Sequence, residues 1–340
     1  MIKTNLSFKR KKINNKFFID LACTLTILII MLIIITNPKQ FTSGTISGLK
    51  LFFNAVLPGL FPFMLLTKLL TEIGFLFKIT TKFDKFSYKL FGTPGVSIYA
   101  FLMSILSGYP IGAKIISELY EKNLITENEA KKISIFCTTS GPIFVIGAVG
   151  IGMFKSMKIG LLLYFSHIIS AIALGIIFNI FAKKSTPNKP SNITKKLLLN
   201  QNENIMFVAI TNTVNSLFVV AAYITMFYLF TELLNTLKII PFAINTLSPI
   251  FSKINISKNT LTGIVYGIFE VTRGALQLSL NITPTSISFC CGIISFSGIS
   301  IIMQSMSFLK NCKIKTHTFL LTKCVHFVLS CLICLIFIIN

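Results

Sequence analysis

Glu270 and Arg273 have the clearest potential for chemistry, because they lie three positions apart inside an apolar stretch at 261–280. A charged side chain at the centre of a bilayer costs on the order of 2.5–3.5 kcal/mol by insertion scales, so such residues persist when they pair, meet cavity water or bind a ligand. Their spacing places both on one face of a helix, so mutual neutralisation is one interpretation. In the other, Glu270 contacts a hydroxyl, an amine or a coupling cation, while Arg273 holds an anionic group or keeps Glu270 ionised.

Further polar residues interrupt apolar stretches at glycine or proline positions, in Ser107–Ala113, Ser140–Pro142 and Ser297–Gly298. Irregular backbone at membrane depth is tolerated only where it is buried in protein or lines a cavity. We expect the second and third interruptions to unwind their helices. Their polar groups should then face the tips of two re-entrant hairpins, which we predict at 95–121 and 259–281. The alternative is that serine and glycine merely permit close helix packing. The candidate residues for binding a solute or ion are Glu270, Arg273, Ser107, Tyr109, Lys114, Thr138, Thr139, Ser140, Ser297, Ser300 and Gln304.

No motif indicates an enzyme, a cofactor or a metal site. The sequence has no phosphate-binding loop and no nucleophile motif, and its three histidines have no metal-ligand spacing. Of the eight cysteines, all but Cys312 lie within apolar runs, where cysteine behaves as a small hydrophobic residue. Cys331-x-x-Cys334 has no second pair to complete a zinc site. We therefore expect structural roles for these residues.

The composition is that of a membrane protein. Of 340 residues 53% are hydrophobic and 12% charged, whereas a soluble domain carries about 25% charged residues. This excludes a soluble enzyme and a disordered chain. The net charge of +22 comes mostly from bases between apolar runs, where positive charge marks the cytosolic side. The expected partner is therefore the lipid bilayer and not nucleic acid.

The N-terminal region predicts an anchor. Bases in 1–16 precede an apolar run at 17–36 that is longer than a signal-peptide core and long enough to span a bilayer. We expect an uncleaved helix with its N-terminus in the cytosol. The predicted domains are the anchor region 1–44, a first repeat 45–182, a cytosolic linker 183–200 and a second repeat 201–340.

The two repeats show the same order of segments. Each contains a span, a less apolar arm, an interrupted stretch too short to cross, a broken span and a plain closing span, at a nearly constant offset. The interrupted stretches, 95–121 and 259–281, predict re-entrant hairpins. In the arm 72–92, lysines 78, 82, 85 and 89 lie on one face of a predicted interfacial helix.

The distribution of bases predicts the orientation of the repeats. With both hairpins re-entrant, the lysine-rich segments, including 183–200, lie in the cytosol, and the C-terminus lies outside. The first hairpin then enters from the cytosol and the second from the outside. The predicted fold is therefore an all-α polytopic membrane protein with an anchor helix and two inverted-topology repeats containing re-entrant hairpins and broken transmembrane helices. Such repeats are typical of secondary transporters, the alternative being a duplicated scaffold without transport.

Several motifs resemble the YlbJ-type sporulation integral membrane proteins of endospore-forming bacteria over about residues 45–340. They are Leu57–Phe63, Ser107–Lys114, Ser140–Pro142 and Phe296–Ser300. The resemblance implies the gate domain shared with concentrative nucleoside transporters and with spore maturation proteins A and B, in the plasma membrane of a sporulating cell. It also implies a link to formation of the spore cortex or envelope. The first hairpin tip departs from the nucleoside carriers, because its polar side chains are only Ser107 and Tyr109.

The predicted function is to move or bind a small polar solute across the membrane of the sporulating cell, with coupling by Na⁺ or H⁺ left open. The alternative is a non-transporting scaffold, acting as a homo-oligomer or with envelope-assembly partners.

Overall fold

The computed structural model describes residues 15–73, 81–181 and 204–339, and every regular element in these ranges is helical. Five helices there are long and apolar enough to cross a membrane, or up to seven if each bent helix pair is one span. The protein is thus an all-α polytopic membrane protein, as the sequence predicted. The predicted linker 183–200, the basic residues before position 15 and Lys78 of the arm lie outside the described residues.

The first helix stands apart from the rest of the protein. Helix α1 is Asn15–Thr36, and no part of its apolar span Phe17–Thr36 is buried inside the protein. Its side chains are therefore available to lipid, as an anchor requires. Helix α2, Pro38–Leu51, begins at a proline in the first turn, where a missing N–H costs nothing. It continues through a π-helical turn, Phe52–Val56, into α3, Leu57–Ile73.

Hairpin 1 consists of helix α5, Val96–Ser107, and helix α6, Ile111–Glu121. It follows a short 3₁₀ turn, Thr81–Phe83, and helix α4, Asp84–Phe91, which meets α5 at 75°. A carboxylate oxygen of Asp84 accepts a hydrogen bond of 2.6 Å from the backbone N–H of Gly95. This contact fixes the described part of the arm against the start of the hairpin.

The first broken span follows hairpin 1. Helix α7, Glu127–Phe136, starts at a capping box in which the side chains of Thr126 and Glu129 bond each other's backbone N–H. The chain is non-helical from Cys137 to Gly141, and it resumes as a π-helix, Ile143–Met153. We call residues 137–142 break 1. Helix α8, Met157–Phe181, closes this half.

The second half contains the same order of elements. Its helices are α9 Ile205–Thr236, α10 Ile239–Ser252, α11 Lys258–Phe269, α12 Val271–Ser279, α13 Pro284–Phe296, α14 Gly298–Leu309 and α15 Thr316–Ile339. Helices α11 and α12 form hairpin 2, in which Gly274 lies so close to the backbone of Gly267 that a Cβ could not fit between them. Ser297, in a left-handed conformation with φ of 79°, separates α13 from α14, and we call it break 2.

The two halves interlock in the interior. Helix α6 of hairpin 1 packs against α14, which follows break 2, and α12 of hairpin 2 packs against the π-helix that follows break 1. Helix α9 contacts α2, α3 and α14. The tip of each hairpin therefore lies next to backbone from both halves of the protein.

Candidate functional site

A cavity of about 60 Å³ lies where the two hairpin tips and the broken spans meet. We call it the central cavity. One water molecule needs about 10–15 Å³ by the same measure, so the space suits several waters or a small polar group. Its polar lining side chains are Ser107, Tyr109, Ser140, Glu270, Thr272 and Gln304, and the apolar residues around them include Leu60, Leu106, Ile143, Phe144, Val220, Ile224 and Ile301.

Glu270 is the carboxylate of the central cavity, and its side chain is only 2% exposed. It is also the N-cap of α12, because its oxygens accept hydrogen bonds from the backbone N–H groups of Thr272, at 3.1 Å, and Arg273, at 2.7 Å. A carboxylate at a helix N-terminus is favoured by the helix dipole and by the unpaired amides there. An ionised carboxylate offers about four lone-pair sites, so acceptor capacity is left for a ligand.

Gln304 supplies an unpaired donor to the same space. Its Nε2 is buried and has no hydrogen-bond partner among the described residues, and the Oγ of Ser300, one turn earlier on α14, has none either. A buried polar group without a partner costs about 1–3 kcal/mol. Because Gln304 lines the central cavity, an acceptor atom of a ligand would remove that cost.

Arg273 does not line the central cavity. Its guanidinium forms an ion pair of 2.7 Å with Glu232 on α9 and donates a hydrogen bond of 2.6 Å to the Oγ1 of Thr231. It also lies over the ring of Tyr266, 4.3 Å from the centroid, within the range of a cation–π interaction. The structure thus gives Arg273 a different ion-pair partner from the Glu270 that local spacing suggested. Arg273 fastens hairpin 2 to α9.

Lys114 has the corresponding place in hairpin 1. Its ammonium donates a hydrogen bond of 3.1 Å to the Oγ of Ser216 on α9, and it lines a separate cavity of about 20 Å³. Beside it, Lys68 and Glu118 form an ion pair of 3.5 Å between α3 and α6. Lys114 therefore positions the hairpin from outside the central cavity.

At the tip of hairpin 1, the two predicted residues have partners in other elements. The hydroxyl oxygens of Ser107 and Thr67 are 2.5 Å apart, which ties the tip to α3. The hydroxyl of Tyr109 donates to the carbonyl oxygen of Ile294 on α13, at 3.4 Å. The tip thus contacts both halves of the protein.

Break 1 unwinds as the sequence predicted, but only one of its predicted hydroxyl residues reaches the central cavity. The Thr139 N–H donates to the Oγ of Ser104 at 3.0 Å, and the Thr138 hydroxyl donates to the Ser134 carbonyl at 3.1 Å. Ser140 lines the cavity, while its N–H donates to the Nε2 of His167 at 2.9 Å. Break 2 interrupts its span as predicted too, and the Ser297 hydroxyl bonds the carbonyl of Ser295 at 3.4 Å.

Sequence reasoning missed a buried basic cluster behind the cavity. The Lys323 ammonium on α15 donates to the Thr138 carbonyl at 2.6 Å, and His167 and His326 stack with ring centroids 5.1 Å apart. The signal for Lys323 was present, because it is an ionisable residue inside an apolar span. Each histidine lies ten positions after the start of its helix, α8 at 157 or α15 at 316.

Together these features define a class: a polytopic α-helical membrane protein whose two hairpins and two broken helices surround a small, mostly apolar cavity with a buried carboxylate. The chain is similar to the sporulation integral membrane protein YlbJ of Bacillus subtilis (strain 168), with 24% identity over 343 aligned residues. The alignment covers 94% of this chain and 80% of the relative, and it confirms the YlbJ-type resemblance that the motifs predicted. No protein-family model matches the chain, and no solved structure matches it.

Proposed function

We propose that this protein carries or binds a small polar solute in the membrane of a sporulating cell. The observation that supports this most is the central cavity, because both hairpin tips and both halves contribute to its wall. In secondary transporters, broken helices of inverted repeats meet in this way around the substrate. The name of the similar Bacillus protein supports the link to sporulation. The predicted gate domain and inverted topology form part of the proposal.

The lining of the cavity suggests the chemistry of the solute. Glu270 can accept a hydrogen bond or meet a positive charge, and Gln304 can donate to an acceptor. A solute with a hydroxyl or amine next to a carbonyl or carboxylate oxygen would satisfy both side chains. Most of the remaining lining is apolar, so only a small polar group fits. Binding and release of such a group need neither a cofactor nor a catalytic step.

Uptake into proteoliposomes tests the proposal. We expect purified protein to bind or accumulate at least one radiolabelled member of a panel of nucleosides, amino acids and dipicolinate-like anions. Glu270→Gln, which keeps the shape of the side chain, should reduce that uptake about tenfold or more, because hydrogen bonds to charged groups contribute about 1.5–3 kcal/mol. The matched control is Glu127→Gln, since Glu127 lies outside the cavity, pairs with Lys131 at 2.6 Å and has a side chain that is 39% exposed.

The scaffold alternative predicts a different result. A scaffold would bind no member of the panel, and Glu270→Gln would behave like Glu127→Gln. The carrier function would be ruled out if no panel member binds and if cells that produce a variant with scrambled hairpin-tip sequences still form normal spores. Self-association or co-purification with envelope-assembly proteins would then be the function to pursue.

A further inference from the structure

Lys323 is a buried cation whose surroundings are unusual for a lysine. Its side chain is 2% exposed, in the apolar helix α15. Among the described residues, no carboxylate oxygen lies within ion-pair distance of its ammonium. Burying a charge without a carboxylate is costly, and ionisable residues kept within spans usually have a function.

The atoms around the ammonium belong to hairpin 1 and break 1. Lys323 donates to the Thr138 carbonyl at 2.6 Å and to the Tyr109 hydroxyl at 3.4 Å, and it lies 4.8 Å from the centroid of the Tyr109 ring. The Thr138 carbonyl follows the end of α7, where carbonyl oxygens have no partner within the helix and carry the negative end of its dipole. The ammonium thus fills the place of a bound cation between the hairpin tip and the broken span.

We propose that Lys323 is a positioning residue: its positive charge holds hairpin 1 closed on break 1, and loss of its proton releases the hairpin from the central cavity. The ammonium of Lys323 would then occupy, as part of the chain, a position that a free cation such as Na⁺ could occupy in another carrier. Only the purpose of this hairpin movement, control of access to the central cavity, rests on the proposed function.

The pH dependence of hairpin closure depends on the charge of Lys323 and on the groups that face it. Tyr109 faces it from hairpin 1, and the imidazoles of His167 on α8 and His326 one turn along α15 lie within its electrostatic influence. Helix α13, which packs on α15, contains no charged residue. In α7 the acidic residues are engaged elsewhere, Glu129 with Thr126 and Glu127 with Lys131. The charge therefore holds the hairpin at low pH, and the hold is lost as the pH rises through deprotonation of the lysine.

The protein has a native reporter for this movement. Cys137 is 0% exposed, and its thiol contacts the Ser97 carbonyl of α5 at 3.6 Å, so it lies between α7 and hairpin 1. Cys290 on α13 is equally buried but belongs to a cluster with Val145 and Leu163, away from hairpin 1. The test uses two variants, each of which retains one of these cysteines and lacks the others. Comparison of their labelling rates separates hairpin opening from general loosening of the fold and from the pH dependence of thiol reactivity.

Maleimide labelling in detergent micelles tests the inference. In Lys323→Met we expect Cys137 to react about tenfold faster than with Lys323 present, because a hydrogen bond to a charged group is lost. The rate for Cys290 should not change. With Lys323 present, the Cys137 to Cys290 ratio should rise toward the methionine value in alkaline buffer. In Lys323→Arg the ratio should stay low at every pH, because guanidinium remains charged.

Chemical rescue gives an independent measurement. In Lys323→Ala, added ethylammonium should slow the labelling of Cys137, whereas neutral 1-propanol should not. Unchanged labelling of Cys137 in Lys323→Met would overturn the inference. Equal acceleration of Cys137 and Cys290 would overturn it too, since Lys323 would then stabilise the whole bundle. No solute is needed, so a silent uptake panel would leave this result unaffected.

Discussion

Arg273 and Glu270 are close in sequence, yet their side chains have separate tasks. The carboxylate of Glu270 accepts backbone N–H groups at the start of α12 and faces the central cavity. The guanidinium of Arg273 points to α9, where Glu232 is its ion-pair partner. Glu232 in turn accepts a hydrogen bond of 3.2 Å from Gln40 on α2. The arginine is therefore part of a polar contact that joins three elements.

A double-mutant cycle distinguishes the two acidic partners. We expect Glu232→Gln and Arg273→Gln each to destabilise the protein and together to show a coupling of about 0.5–3 kcal/mol, as is typical of residues in one ion-pair network. The coupling between Glu270→Gln and Arg273→Gln should be the smaller of the two, because the guanidinium forms its ion pair with Glu232. The free energy of unfolding in micelles is the measurement. Strong coupling of Arg273 to Glu270, with none to Glu232, would contradict this assignment.

Hairpin tips need glycine for reasons that are visible in the backbone. Gly108, between α5 and the turn into α6, has φ of 79° and ψ of −168°, a region open almost only to glycine. A Cβ at this position would also lie 2.5 Å from the backbone nitrogen of Gly141 in break 1. Hairpin 1 and break 1 can approach each other this closely only because neither residue has a side chain.

Gly108→Ala should therefore damage the tip, while Gly147→Ala in the π-helix is the matched control. We expect Gly108→Ala to cost about 1–3 kcal/mol from backbone strain alone. A Cβ at Gly147 would meet nothing closer than 3.8 Å, so that variant should unfold close to the wild-type temperature. Thermal unfolding followed by the reactivity of buried cysteines measures both. Equal melting temperatures for the two variants would show that the tip tolerates a side chain.

The elements could be predicted from the sequence, because their signals are local. An apolar stretch too short to cross, interrupted by glycine or proline, predicted both hairpins, and Ser297-Gly298 predicted break 2. The side-chain partners could not be predicted in this way. Lys323 and Thr138 are 185 positions apart, and Arg273 and Thr231 are 42 apart. Spacing along one helix contains no information about which distant element packs against it.

At the scale of the whole molecule, the two halves have the same order of elements, and the packing of their hairpins in the interior is similar as well. Each hairpin packs against the broken span of the other half, α6 on α14 and α12 on the π-helix. The stacked histidines lie on the two closing helices, α8 and α15. This arrangement is what we expect if the two halves are copies related by inversion across the membrane.

Inverted topology makes a sharp prediction for α8 and α15. If the halves are inverted, these equivalent helices begin on opposite sides of the membrane, with the loop before α8 outside and the loop before α15 in the cytosol. Lys155 and Lys313 are exposed residues in these two loops. On a cysteine-free background, an impermeant maleimide should label Lys155→Cys in intact cells and should label Lys313→Cys only after permeabilisation. Asn188→Cys in the linker should behave like Lys313→Cys, because the lysines around it are retained in the cytosol. Labelling of Lys155→Cys and Lys313→Cys from the same side would mean that the halves are parallel copies, and the proposed carrier would lose the inverted topology that forms part of the proposal.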